Sequence, residues 1–175
     1  MTGKDIILGL LMEKSRTGYE INEVFETIFR HFYKTSYGMI YPTLKRLTKA
    51  GLVEKEIVVQ TGKPNKNVYH ITKKGEEAFN DYLKTDISPE KRESEFLVRM
   101  YFGGNESQET LRIWLKNEIQ LVENNIEQLK NDHQEWNKKM TLSQSIAYEI
   151  GLAQFLAERD VLENYIKQLD EENHR

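Results

Sequence analysis

Lys45, Arg46 and Lys49 recur at three- and four-residue spacing, which on a helix gathers three cations on one side. Fixed cations in that arrangement are suited to neutralising the phosphates of a polyanion and releasing its counterions. Just upstream stand Ser36, Tyr37, Gly38, Met39, Tyr41 and Pro42. On a helix that enters a DNA groove, the N-terminal residues are the ones that face base edges. Gly38 opens the segment with a small residue that lets the backbone approach phosphates, and a helix N-terminus favours anions. Tyr41 has two readings. It donates to a phosphate or meets a thymine methyl, or it packs as a core aromatic against a β-wing downstream. Further on, Lys63 and Lys66 flank Pro64-Asn65 in a turn-forming stretch, where two more cations would meet a nucleic-acid backbone.

The charge balance supports this reading only when taken by region. The whole chain carries −3, which by itself argues against a nucleic-acid partner. Residues 1–85 hold 14 Lys and Arg against 10 Asp and Glu, whereas residues 86–175 hold 11 against 18. Within residues 34–74 nine basic residues (Lys34, Lys45, Arg46, Lys49, Lys55, Lys63, Lys66, Lys73, Lys74) face only Glu54 and Glu56. A basic block on an acidic chain is the footprint of phosphate binding, and a solvated basic face is the alternative.

These residues need elements to hold them. Ile6, Ile7, Leu10 and Leu11 give helical spacing over 3–13. Thr17 with Glu20 forms a capping box, opening a second helix that buries Ile21, Val24, Phe25, Ile28, Phe29 and Phe32. The third helix, 38–50, buries Ile40, Leu44 and Leu47. It carries Pro42 in its first turn and stops at Gly51. Residues 52–59, rich in β-branched side chains, predict a strand. Residues 61–67 are turn chemistry, and 68–71 return. Thr72 caps a fourth helix to about residue 84. Three helices followed by a two-stranded wing make a winged helix-turn-helix over 1–85.

The remainder, 86–175, reads as a helical dimerisation domain. Ser88 as N-cap with Pro89 behind it predicts a helix reaching Tyr101, broken at Gly103-Gly104-Asn105. A long helix over 106–138 places Leu115, Ile119, Val122, Ile126, Leu129, His133 and Trp136 at heptad spacing. His133 there is expected to be a satisfied seam residue. Thr141 with Gln144 caps a last helix, 142–170, folding back antiparallel. It carries two apolar stripes. One is Tyr148, Leu152, Phe155, Arg159, Leu162, Ile166 and Leu169; the other is Ile146, Ile150, Ala153, Ala157 and Val161. A helix apolar on two sides needs two partners, its own hairpin and a second subunit. Leu152, Phe155, Leu162, Ile166 and Leu169 are assigned here to dimerisation, although spacing leaves open which stripe the partner takes.

Other chemistry finds little support. The chain has no cysteine, which excludes disulfides and thiolate sites. His31, His70, His133 and His174 are scattered without metal-ligand spacing, and no nucleotide or nucleophile motif appears. Gly62-Lys63-Pro64 lacks phosphate-loop spacing. No apolar run spans a bilayer, and the N-terminus lacks a secretion signal. The expectation is a cytoplasmic protein that is no enzyme and takes neither metal nor cofactor. Two rival classes remain: a winged module that serves protein partners, and a small-molecule binder without DNA affinity.

Several strings also resemble a known family. They are Gly9-Leu10-Leu11, Gly18-Tyr19-Glu20-Ile21, Gly38-Met39-Ile40-Tyr41-Pro42-Thr43-Leu44-Lys45-Arg46-Leu47, Ala50-Gly51-Leu52-Val53 and Tyr69-His70-Ile71-Thr72-Lys73-Lys74-Gly75. In this order they resemble the PadR family of bacterial transcriptional regulators, and residues 95–102 resemble the opening of its longer C-terminal domain. Thr48 departs from the family, which often has Glu there. The resemblance implies a homodimer that binds double-stranded DNA at a partly palindromic operator. It implies repression of nearby genes and, in some members, release by a small aromatic or drug-like effector. Phe96, Met100 and Trp114, with Tyr101, Phe102 and Phe155, would line such a cavity; ordinary packing is the alternative.

Overall fold

The computed structural model describes residues 1–31, 33, 37–62, 64–89, 93–136 and 140–172, with Tyr37, Glu135, Trp136 and Glu172 described by backbone alone. Phe32, Lys34, Ser36, Lys63 and the Trp136 side chain, all invoked above, lie outside the described residues. The chain divides into two compact units, 1–90 and 91–175.

The first unit is built from α1 (Gly3–Glu13), β1 (Arg16–Thr17), α2 (Gly18–Thr27), α3 (Ile40–Lys49), β2 (Val53–Val58), β3 (Lys66–Ile71) and α4 (Lys73–Leu83). Its helices start where the sequence supplies caps. Thr17 Oγ1 accepts from the Glu20 amide at 3.2 Å while the Glu20 carboxylate accepts from the Thr17 amide at 2.7 Å. Thr72 Oγ1 accepts from the Gly75 amide at 3.1 Å. Gly51, at φ +70°, closes α3 in the left-handed conformation that glycine adopts without strain. The core gathers Ile6, Ile7, Leu10 and Leu11 of α1, Ile21 and Phe25 of α2, Ile40, Leu44 and Leu47 of α3, and Val53 and Tyr69 of the wing. Each fully buried aliphatic side chain contributes about 1.5–3 kcal/mol.

Four expectations need adjustment here. The second helix stops at Thr27, and Phe29–His31 forms a separate 3-10 turn. The third begins its α-helical hydrogen bonding at Ile40, after a 3-10 turn at Tyr37–Met39. The wing gains a third strand: β1 pairs antiparallel with β3, Arg16 opposite Tyr69 and Thr17 opposite Val68, giving the order β1-β3-β2. Two residues are too few to show alternation in sequence. Finally, residues 86–89 are not helical, so Ser88 and Pro89 do not open the next helix. Its N-cap is Ser94, whose Oγ accepts from the Leu97 amide at 3.1 Å. The cap sits two residues before Phe96, where side chains begin to pack on the tail core.

The second unit contains α5 (Glu95–Phe102), a 3-10 turn at Gly103–Asn105, α6 (Gln108–Trp136) and α7 (Leu142–Glu172). The last two form an antiparallel hairpin. Leu115, Val122, Ile126 and Leu162 are buried along its seam, with Ile119, Leu152, Phe155, Ile166 and Leu169 packed against them. Leu129 is fully buried as well. Near the turn the His133 ring stacks on Tyr148, centroids 3.8 Å apart. At the open end Arg112, buried, donates to Asp170 Oδ1 at 3.0 Å, to the Leu169 carbonyl at 2.9 Å and to Glu109 at 2.7 Å. These contacts tie the start of α6 to the end of α7 and fix the register between them. Among the described residues no helix is long and apolar enough to cross a membrane.

Candidate nucleic-acid interface

α3 separates its residues cleanly by face. At 100° per residue, Ile40, Thr43, Leu44 and Leu47 fall together and are buried. Tyr41, Pro42, Lys45, Arg46 and Lys49 occupy the opposite arc and are exposed. The arc contains no carboxylate, because α3 has none. Arg46 lies at its edge, where Nη2 donates to Thr43 Oγ1 at 2.9 Å.

Around this arc the expected contacts fall unevenly. Gly38 is exposed, and a Cβ there would meet nothing within 4 Å. The backbone of Tyr37 lies in the same turn. Met39 does not join them. Its thioether sulfur accepts from Thr43 Oγ1 at 3.0 Å, and its terminal methyl packs on Gly3 of α1. A polarizable, unbranched side chain fills that irregular gap well, so Met39 faces inward. Tyr41 follows neither expectation fully. It is 46% exposed, and its ring rests on Gly18 of α2. On the wing, Lys66 opens β3 and its Nζ lies 4.0 Å from Glu20 Oε1. It stands at the loop end of the β2–β3 hairpin, opposite Val58, and from there its ammonium faces the start of α2. The Glu20 carboxyl sits below its ordinary pKa, chiefly through the Thr17 hydrogen bonds and then through the fields of Lys66 and Lys14.

Some residues of the basic block build the frame. Lys74 Nζ donates to the Ala50 carbonyl at 3.0 Å and Thr72 Oγ1 donates to the Gly51 carbonyl at 2.8 Å. Together they satisfy the C-terminal end of α3 and fix it to the start of α4. Gly75 lets this joint close: a Cβ there would run into the Leu52 carbonyl and Ile71. Across the wing, His70 Nε2 lies 2.9 Å from Glu56 Oε2 and Nδ1 lies 2.7 Å from Ser15 Oγ, bridging β2 to the loop before β1. Tyr19, in the first turn of α2, is 71% exposed; no spacing rule singled it out.

The tail has a cleft of about 680 Å³ between α5, α6 and α7. Phe96 and Met100 line it together with Leu111, Leu115, Val161 and Tyr165. Trp114 lies instead near Gly103, with the Arg99 guanidinium 6.0 Å from its ring centroid. Tyr101 and Phe102 are exposed and meet edge-to-face, and Phe155 packs in the hairpin seam. The stripe assigned to dimerisation, Leu152, Phe155, Leu162, Ile166 and Leu169, belongs to that same intrachain seam. Ile146, Ile150, Ala153, Ala157 and Val161 are the exposed stripe. Among the described residues no three His, Asp or Glu side chains gather as metal ligands.

A winged helix-turn-helix with a cationic third helix, followed by a helical hairpin, defines the class of transcriptional regulators with a DNA-reading head and a helical tail. Similarity to known proteins narrows the class. Residues 7–81 match the transcriptional regulator PadR-like family. A PadR-like transcriptional regulator of Bacillus cereus is 37% identical, with a TM-score of 0.90 over 98% of this chain and 99% of that one. A Streptococcus mutans protein is 42% identical, with a TM-score of 0.86 over 95% and 99%. The negative transcriptional regulator PadR of Bacillus subtilis is 28% identical over 132 residues, 75% of this chain and 72% of that protein. Its structure with operator DNA gives a TM-score of 0.81 at 23% identity, over 95% and 98%, and it has also been solved with p-coumaric acid. The chain belongs to the PadR-like family of transcriptional regulators, whose members are regulators and not enzymes.

Proposed function

We propose that this regulator is a cytoplasmic homodimer that binds a partly palindromic operator and represses the genes beside it. The observation that carries the reading is the outward arc of α3, with Tyr41, Pro42, Lys45, Arg46 and Lys49 exposed and no carboxylate among them. Tyr41 and Pro42, near the start of the helix, meet base edges or sugars in the major groove. Lys45, Arg46 and Lys49 meet phosphates, which position the protein without specifying sequence. Gly38, in the 3-10 turn before α3, allows close approach of the backbone. The wing, with Lys63 and Lys66, lies along the neighbouring strand.

Two heads are held together by the tails. The seam stripe of α7 is occupied by α6, so the second subunit takes the start of the exposed stripe, Ile146 and Ile150, while Val161 lines the cleft. Dimerisation sets the recognition helices about 34 Å apart, one turn of DNA. A small aromatic molecule seated in the α5–α6–α7 cleft against Phe96 and Met100 acts as effector. It shifts the dimer only as far as its affinities for the bound and released arrangements differ. The test is binding of the purified protein to the DNA upstream of its own gene, with excess nonspecific competitor. Competitor-resistant binding of one dimer per site supports the reading. Binding that competitor abolishes speaks against it at that site, and selection from a random-sequence pool then decides whether any operator exists.

A further inference from the structure

The start of α2 is bracketed by the two surfaces assigned above to DNA. On one side the Tyr41 ring of α3 rests on Gly18. On the other, Lys66 of β3 reaches Glu20. Tyr19 stands between these two contacts. Ile21, two positions on, is fully buried, so at 100° per residue Tyr19 points away from the core, and it is 71% exposed. It belongs to neither the buried core nor the hydrophobics packed on it. A large aromatic side chain held in solvent between a recognition helix and a wing has a polar tip and a rigid body to offer a ligand.

We infer that Tyr19 is a positioning residue for DNA, its hydroxyl donating to a backbone phosphate at the edge of the groove that α3 enters. The inference rests on the DNA-binding reading above. The neighbouring carboxylate does not oppose it. Glu20 Oε2 accepts from the Thr17 amide and hydroxyl, each at 2.7 Å, and Lys66 and Lys14 bear on its charge. A neutral donor has a distinct signature. It adds a hydrogen bond to an anion and fixes the orientation of α2 across the strand, yet displaces no counterion of its own.

The test uses the full-length protein and a duplex that the wild type selects from a random-sequence pool. Tyr19→Phe is compared with wild type by fluorescence anisotropy across a salt series, and thermal melts check that both fold equally. Neutral methylphosphonates are then placed singly along the duplex. Tyr19→Phe is expected to bind about tenfold more weakly with an unchanged salt slope. One methylphosphonate per half-site is expected to weaken the wild type and leave Tyr19→Phe little affected, which a general structural defect would not produce. Binding of Tyr19→Phe within about twofold of wild type overturns the assignment, as does an equal loss at every methylphosphonate position. Failure of the wild type to select any duplex would overturn the DNA-binding reading along with it.

Discussion

The ring of Tyr41 lies directly on Gly18, so close that a Cβ on the glycine would sit 2.6 Å from the tyrosine Cε1. This contact seats the recognition helix on the helix before it, and it needs a residue without a side chain. Gly18→Ala is therefore expected to push Tyr41 outward. The ring is the far end of a half-exposed side chain that can swing into solvent, so the cost is at the low end of overpacking, about 1 kcal/mol. Urea melts would show the lost stability, and operator affinity should fall with it. A Gly18→Ala protein with wild-type stability would mean that the contact does not seat α3.

Gly75 sets a stricter limit. Its missing Cβ would meet the Leu52 carbonyl, part of the backbone that joins α3 to the wing. At Gly9 the neighbour is the Phe79 ring, a side chain able to rotate. Gly75→Ala should cost more than Gly9→Ala, and more than about 2 kcal/mol, because backbone cannot step aside. Paired denaturation midpoints measure this, and the reverse order would contradict it.

Two perturbed carboxyls, Glu20 and Glu118, predict opposite pH dependences. Hydrogen bonds from Thr17 hold Glu20 below its ordinary 4.5. Its contribution is complete above that value and disappears as pH falls through the depressed folded value. The stability gap between wild type and Glu20→Gln should be constant near neutrality and close on acidification. Glu118 is held above 4.5 by burial first and by Glu158 second. The folded state favours its proton, so at neutral pH the charged form costs stability. Glu118→Gln should stabilise the tail near pH 7, and the gain should vanish in acid. Melts over a pH series test both signs.

In the tail, one stripe of α7 packs in the hairpin, and the other is the one proposed to meet a second subunit. Leu162→Ala opens a cavity in the hairpin seam and should destabilise by about 2–5 kcal/mol. Ile150→Glu, on the exposed stripe, should leave the fold intact and yield monomers in sedimentation experiments. A dimeric, stable Ile150→Glu protein would move the subunit contact elsewhere.

Where a signal was local, the sequence carried it. Thr17 with Glu20, Thr72 with Gly75, and Gly51 act within three residues or at one backbone angle, and each stands where spacing put it. The heptad of α6 was legible because the stripe from Leu115 to Ile126 packs in one seam, and His133 further along stacks on Tyr148 of α7. Signals that depend on distant chain were not. Ser88 and Ser94 are both followed by suitable residues, and only packing that begins at Phe96 chooses between them. Met39 turns inward because α1 presents Gly3, which lies 36 positions away in the chain. Charge counting grouped Lys74 with the α3 cations, whereas Lys74 caps a carbonyl. Likewise, two stripes on α7 were visible, but only the position of α6 shows which one the hairpin consumes.

The function proposed above stands or falls on the outward arc of α3 binding phosphates within a specific DNA site. The most direct test is the affinity of wild type and Lys45→Ala for the upstream DNA across a salt series. The expected result is tight binding that weakens with salt, and a Lys45→Ala slope shallower by about one. A wild-type affinity indifferent to salt, or an unchanged slope in the variant, would contradict it.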